Sequence, residues 1–255
     1  MTTKSGDFQY EVVEGWGDLP SRWEWGQAGA VAVDSKDQVH VFTRTEHPIM
    51  VFDQDGHFID SWGEGIFEDA HGLCIGPDDS LYLVDRNPQV VMKFSKEREL
   101  IYTLGNRGEP SDTGYTVESP VVTQPGPPFH HPTDISLTPN GDLYVSDGYR
   151  NCREHKFTTK GDLLFSWGEP GEGPGEFQLV HSVWEYKDRV FVADRQNNRL
   201  QVFTLEGQHL DTWPGFLQPC KIFIANDIIY VAELGARVSI LDLQGNILAR
   251  WGGER

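Results

Sequence analysis

Two histidines, His71 in AHGLCI and His181 in LVHSVW, each stand two residues ahead of an apolar strand residue, Leu73 and Val183. Imidazoles presented in one register can hold Zn²⁺ and leave coordination positions for water or substrate, since neutral imidazole nitrogen suits this ion. The bland alternative is a pair of loop histidines held by backbone carbonyls. Arg44, Arg86 and Arg195 also share a register, behind Thr43, Asp85 and Asp194. In an acidic chain such cations either clamp a carboxylate and steady an oxyanion, or pair with the neighbouring acids as a structural belt. Tyr149, two residues past Asp147, offers a phenol as acid or base, or simply packs. Cys220 shares the histidine register with Gly29 and Thr133. Its thiolate would complete a His₂Cys zinc set, whereas a buried loop cysteine is more commonly inert.

These registers follow from an internal repeat. Segments at about 30–63, 72–105, 134–168, 182–214 and 221–252 share one plan. A short apolar strand leads through a polar turn (DSKD, GPDD, TPNG) to a β-branched and aromatic strand (VHVF, LYLV, LYVS, VFVA, IIYV). A third strand, a Gly-containing hairpin and a fourth strand ending in Trp-Gly or its equivalent follow. A four-stranded meander cannot bury both of its faces alone, so the units must stack around a channel. The expected architecture is therefore an all-β propeller forming one domain over 1–255. Trp62, Trp167, Trp213 and Trp251, recurring once per unit, are expected to pack between neighbouring sheets.

Two places break the plan. The spacing from Leu73 to Ile135 is 62 residues, the surplus lying in a Pro- and Gly-rich loop, 106–131, that is either a connector or part of a binding face. Residues Phe8 to Trp16 resemble a fourth strand with no first three before it. The chain thus reads as five complete four-stranded repeats plus an N-terminal strand. It closes either with five blades or on a six-bladed plan whose sixth blade is incomplete, and the second case predicts self-association through an open blade edge.

The formal net charge of −18, from 39 acidic and 21 basic residues, argues against nucleic acid and anionic membrane surfaces as partners. The absence of a leader-like apolar segment and of any run of about 18 apolar residues points to a soluble, cytoplasmic protein. Three cysteines without CxxC spacing, Cys74, Cys152 and Cys220, argue against a disulfide framework.

Five motifs taken together, HVFTRTEH around Arg44, AHGLCI around His71, VSDGYRNCR around Tyr149, LVHSVW around His181 and VADRQNNRLQVF around Arg195, resemble the peptidyl-α-hydroxyglycine α-amidating lyases. These are six-bladed propellers of the NHL type, and the resemblance runs from about Val12 to Gly252. It implies a channel Zn²⁺ held by three histidines, with a tyrosine and two arginines over it and a structural Ca²⁺ lower in the channel. Carried onto this sequence, the zinc ligands are His71 and His181, the catalytic tyrosine is Tyr149, and the arginines are Arg44 and Arg195. The Ca²⁺ would take the backbone carbonyls of Val31 and Leu73. The family's third histidine and a calcium-side aspartate belong to a Pro-His motif in a sixth repeat that this sequence does not show. His131, in HHPTD, is two positions out of register, and Cys220 is in register. The resemblance implies cleavage of an α-hydroxyglycine C–N bond in a small-molecule or peptide-derived carboxylate, giving an amide and glyoxylate. Alternatives on the same channel are a metal-dependent hydrolase, such as a lactonase, and a non-catalytic binding scaffold.

Overall fold

The hairpins are set by local side-chain chemistry. Asp34 Oδ1 accepts the backbone N–H groups of Lys36 and Gln38, and Asp242 Oδ1 does the same for Gln244 and Asn246, each at 2.9 Å. A left-handed residue next in the turn, Asp37 or Gly245, then reverses the chain. Repeated around the chain, these turns produce antiparallel meanders. The computed structural model describes residues 2–5 and 8–252. They form five four-stranded sheets, each with its strands in sequence order: blade 1 over 28–62, blade 2 over 70–104, blade 3 over 132–167, blade 4 over 180–214 and blade 5 over 219–252.

The innermost strands, Ala28–Val33, Ala70–Ile75, Pro132–Leu137, Val180–Tyr186 and Pro219–Ala225, pack one against the next around a channel. Each blade begins two residues earlier than the repeat boundaries read from sequence. The reason is a bulge. In all five blades the pairing of the first strand with the second skips one residue, and the skipped residues are Gly29, His71, Thr133, His181 and Cys220. These residues are therefore not loop positions entering the strand, as the sequence suggested, but bulge positions within it.

Between blades the tryptophans pack as expected. Trp62 meets Phe94 of blade 2 at 5.3 Å between ring centroids. A Cβ on Gly207 would lie 2.8 Å from the Trp167 ring, and one on Gly245 would lie 2.5 Å from Trp213, so each indole rests on the hairpin glycine of the following blade. Trp16 treats blade 1 in the same way: Gly56 lies under its ring, and its Nε1 donates to Gln54 O at 3.1 Å.

The N-terminal strand covers Phe8–Glu11 and is not alone, because Thr2–Ser5 pairs with it antiparallel. TTKS has no apolar alternation to announce a strand. Tyr10 stands edge-on to Trp251 at 5.1 Å, so this hairpin adjoins blade 5, while Trp16, Leu19, Trp23 and Trp25 cover Val41, Met50 and Phe52 on blade 1. Among the described residues, the innermost strands of blades 5 and 1 do not share the close packing found at the other blade junctions. Val31 and Phe223 on those two strands are 60% and 50% exposed, so the channel wall is open on that side. No helix among the described residues is long and apolar enough to cross a membrane, and the three cysteines are unpaired.

Because Trp16 closes blade 1 where a preceding blade would otherwise do so, Trp16→Ala should lower the unfolding free energy by roughly 2–3 kcal/mol, given its partial burial. Urea denaturation checks this, and an unchanged midpoint would show that the N-terminal segment does not brace the ring.

Candidate active site in the channel

The bulge decides where the histidines point. A residue squeezed out of the ladder loses its cross-strand partner and is re-aimed, here toward the channel. His71 Nδ1 donates to Thr133 O at 2.6 Å and His181 Nδ1 donates to Cys220 O at 2.7 Å, each acceptor being the carbonyl of another bulge residue, in the following blade. With the proton committed at Nδ1, each ring presents its Nε2 lone pair inward, and the ring centroids stand 5.0 Å apart. Burial pushes the His71 pKa well below the ordinary imidazole value, aided by its neighbour His181. Burial, then the charge of Arg195, pushes His181 down to about 3. Both rings are neutral at physiological pH.

Tyr149 lies between them. Its phenol oxygen is 3.3 Å from His71 Nε2 and 3.1 Å from His181 Nε2, and Arg195 Nη1 donates to it at 3.3 Å. Its single proton can serve only one of the two imidazoles at a time. The guanidinium of Arg86 stands 4.7 Å from the centre of its ring and that of Arg195 5.1 Å. Tyr149 can occupy this place because Gly148 precedes it. A Cβ there would overlap the carbonyl of Val180 in blade 4.

The arginines divide between the two roles that their register allowed. The buried Asp69 carboxylate holds both Arg44, at 2.7 Å, and Arg86, at 2.6 Å, and Arg44 also donates to Gln27 and to Ala70 O. Arg195 has no carboxylate partner among the described residues, and its Nε is buried without an acceptor. The acids at the ends of the second strands do not pair with these arginines. Asp85, Asp147, Asp194 and Glu233 accept backbone N–H groups from the segment leading into their own blades. The belt is thus mostly a loop anchor, and Arg195 is the cation left for an anion.

The structure brings together His71, His181, Tyr149 and Arg195, with Arg44 and Arg86 joined at the border through Asp69. Cys220 offers its carbonyl to His181, its thiol donates to Ala232 O at 3.3 Å, and burial raises its pKa. No set of three His, Cys, Asp or Glu donors includes the two channel imidazoles among the described residues. His131 stands apart, its N–H on Gln89 and its ring driven to about 4 by burial and by Arg150. The 106–131 loop is fastened beside Tyr149, with Gly126 N–H on Asn151 and Tyr115 under the Arg150 guanidinium at 4.7 Å.

Val31 and Leu73 line a cavity of about 840 Å³ that also reaches His71, His181, Asp134 and Lys221. Asp134, Ser182 and Lys221 escaped the sequence reading. They share a register one residue after the bulge, a signal that was present but unused. Two converging Nε2 lone pairs, each locked by a carbonyl, fit Zn²⁺ as two ligands of an open site. Ca²⁺ fits less well: it requires oxygen ligands including carboxylate, and Asp134, the one acid among the residues lining the cavity, is already paired.

The NHL repeat family model matches residues 129–157, the stretch that carries Tyr149. The chain is an NHL-repeat β-propeller that resembles the amidating lyases. It is 31% identical over 238 residues to the peptidylglycine alpha-amidating monooxygenase of Rattus norvegicus, an alignment covering 78% of this chain and 22% of that protein. It is 31% identical over 161 residues to the probable peptidyl-alpha-hydroxyglycine alpha-amidating lyase of Caenorhabditis elegans, covering 61% of this chain and 43% of that one. The NHL propeller therefore spans less than half the length of either relative. Among solved structures, a streptogramin B lyase superposes with a TM-score of 0.67 at 17% identity, covering 91% of this chain and 70% of that chain, which establishes the shared fold.

The histidines give this propeller a definite pH response. Their folded pKa values lie below the unfolded value of 6.5, so on acidification the unfolded chain takes up protons first. The stability they contribute is complete above that value and is lost as the pH falls below it, for His181 down toward about 3. In chelator-treated protein His181 should add about 1.4 kcal/mol per pH unit to the slope inside its window. Urea midpoints measured from neutral to mildly acidic pH should give a shallower slope for His181→Asn, and identical slopes would contradict the assignment.

Proposed function

We propose that this channel is the active site of a zinc-dependent lyase that cleaves the C–N bond of an α-hydroxyglycine-type substrate, giving an amide and glyoxylate. The observation that carries this reading is the Tyr149 phenol, within hydrogen-bonding reach of both imidazole Nε2 atoms and of Arg195. The similarity to amidating lyases across most of the chain supports it.

The reaction is redox-neutral. The substrate hydroxyl loses its proton, its oxygen forms the carbonyl of glyoxylate as the C–N bond breaks, and the departing nitrogen takes up a proton to become the amide. His71 and His181 would hold Zn²⁺, which supplies Lewis acidity to the substrate oxygen when bound. Arg195 would take the substrate carboxylate, since its guanidinium lacks an acid partner among the described residues and the surrounding chain is strongly acidic. Tyr149 would move the proton. Charge left on its oxygen faces the Arg195 guanidinium, and the Arg44–Asp69–Arg86 group keeps that side of the site positively charged and rigid.

Incubation with an α-hydroxyglycine-extended peptide should release glyoxylate, with Tyr149→Phe lowering kcat by roughly 10²–10⁴-fold. Arg195→Gln should mainly raise KM. Protein purified without chelator should carry zinc at a stoichiometry that falls in His71→Ala. No glyoxylate from zinc-loaded protein, with turnover of lactones instead, would assign the site to hydrolysis. Activity untouched by Tyr149→Phe would remove the phenol from the mechanism.

A further inference from the structure

One residue after the bulge, the five innermost strands carry Ala30, Gly72, Asp134, Ser182 and Lys221. The three polar members form one connected group across blades 3, 4 and 5. Lys221 Nζ is 2.7 Å from each Asp134 oxygen. Ser182 Oγ donates to Asp134 Oδ2 at 2.6 Å and accepts from Ile222 N at 3.1 Å. The Asp134 side chain is 4% exposed, and that of Lys221 is 34% exposed where it borders the cavity shared with Val31 and Leu73.

A buried carboxylate demands a cation close by. Either a divalent ion or an ammonium group can meet that demand, but the two side by side would repel. Ca²⁺ needs six to eight oxygen ligands with carboxylate among them. Both oxygens of Asp134 are already committed, and Ala30 and Gly72 in the same register bring no side-chain oxygen.

We propose that the Lys221 ammonium is the resident cation of this channel ring, filling the role the family resemblance gives to Ca²⁺, so that this chain binds no Ca²⁺ there. The ion pair then does mechanically what a bound ion would do. It ties blade 5 to blade 3 across blade 4, and it fixes the residue next to Cys220, whose carbonyl orients His181. Such a brace does not respond to chelators. It also offsets the open side of the ring, where, among the described residues, the innermost strand of blade 5 is not packed closely against that of blade 1.

Calorimetric titration of EDTA-treated protein with CaCl₂, together with thermal unfolding in Ca²⁺ and in EGTA, tests this directly. Wild type should give no binding heat and equal Tm values. A rise of roughly 5–10 °C, as expected for an ion present at about 100 times its Kd, would overturn the proposal. Lys221→Met should unfold at a lower temperature and acquire a Ca²⁺-dependent rise, because Asp134 is then left without a counter-charge. The double variant Lys221→Met/Asp134→Asn should recover part of the lost Tm and show no Ca²⁺ response. Should the single variant not fold, the wild-type titration and the double variant still decide. Wild-type Tm values in both Lys221→Met and Asp134→Asn would show that the pair braces nothing.

Discussion

The site depends on a single backbone irregularity repeated five times. In every innermost strand one residue is squeezed out of the ladder at the same register. That displacement does two things together. It re-aims the side chain of the skipped residue, and it frees that residue's carbonyl to accept a hydrogen bond from the preceding blade. His71 and His181 use both consequences: their rings reach the channel, and their Nδ1 protons are captured by the bulge carbonyls of Thr133 and Cys220. The fold thus supplies a ring of equivalent positions, and chemistry arises at whichever of them carries a suitable side chain. Without the bulge the remaining strand residues would keep a strict alternation, and the imidazoles would fall on the ladder with everything else.

Electrostatics completes what the bulge begins. The chain carries an excess of acid, yet the groups around Tyr149 are cations and neutral imidazoles. The acids that could quench this are committed elsewhere. Asp69 is divided between Arg44 and Arg86, Asp194 holds Arg199, and Glu233 holds Arg237. Among the described residues, Arg195 alone of the three register-mates remains without an acid partner. A local positive site within a negative surface is the arrangement that the proposed carboxylate substrate calls for.

The unclosed side of the ring shapes the rest. The hairpin beside blade 5 and the Trp16 segment over blade 1 seal the outer part of the gap but not the inner wall. Blades 3 to 5 answer with an internal ion pair across the channel, whereas blades 1 and 2 place Ala30 and Gly72 at the same height. The cavity lies where those small residues leave room.

The repeat, the four-strand plan of each unit, the propeller and the shared registers of His71 with His181 and of Arg44 with Arg195 are all legible in the residue order. These are consequences of spacing, and a repeated spacing turns residue number directly into height and angle around a channel. The division of labour within a register emerges once the blades are assembled. Arg44 and Arg195 look alike in sequence, but the nearest carboxylate to Arg44 comes from a segment leading into another blade, which no local pattern reveals. Cys220 shares the histidine register, and its carbonyl accepts from His181 while its thiol donates to Ala232 O, a backbone role that residue type does not reveal because the bulge controls backbone direction. The Lys221–Asp134 pair joins positions 87 apart in the chain across an intervening blade. Such a contact exists only once the ring has curved, so its two ends could be aligned in the sequence but not seen to touch.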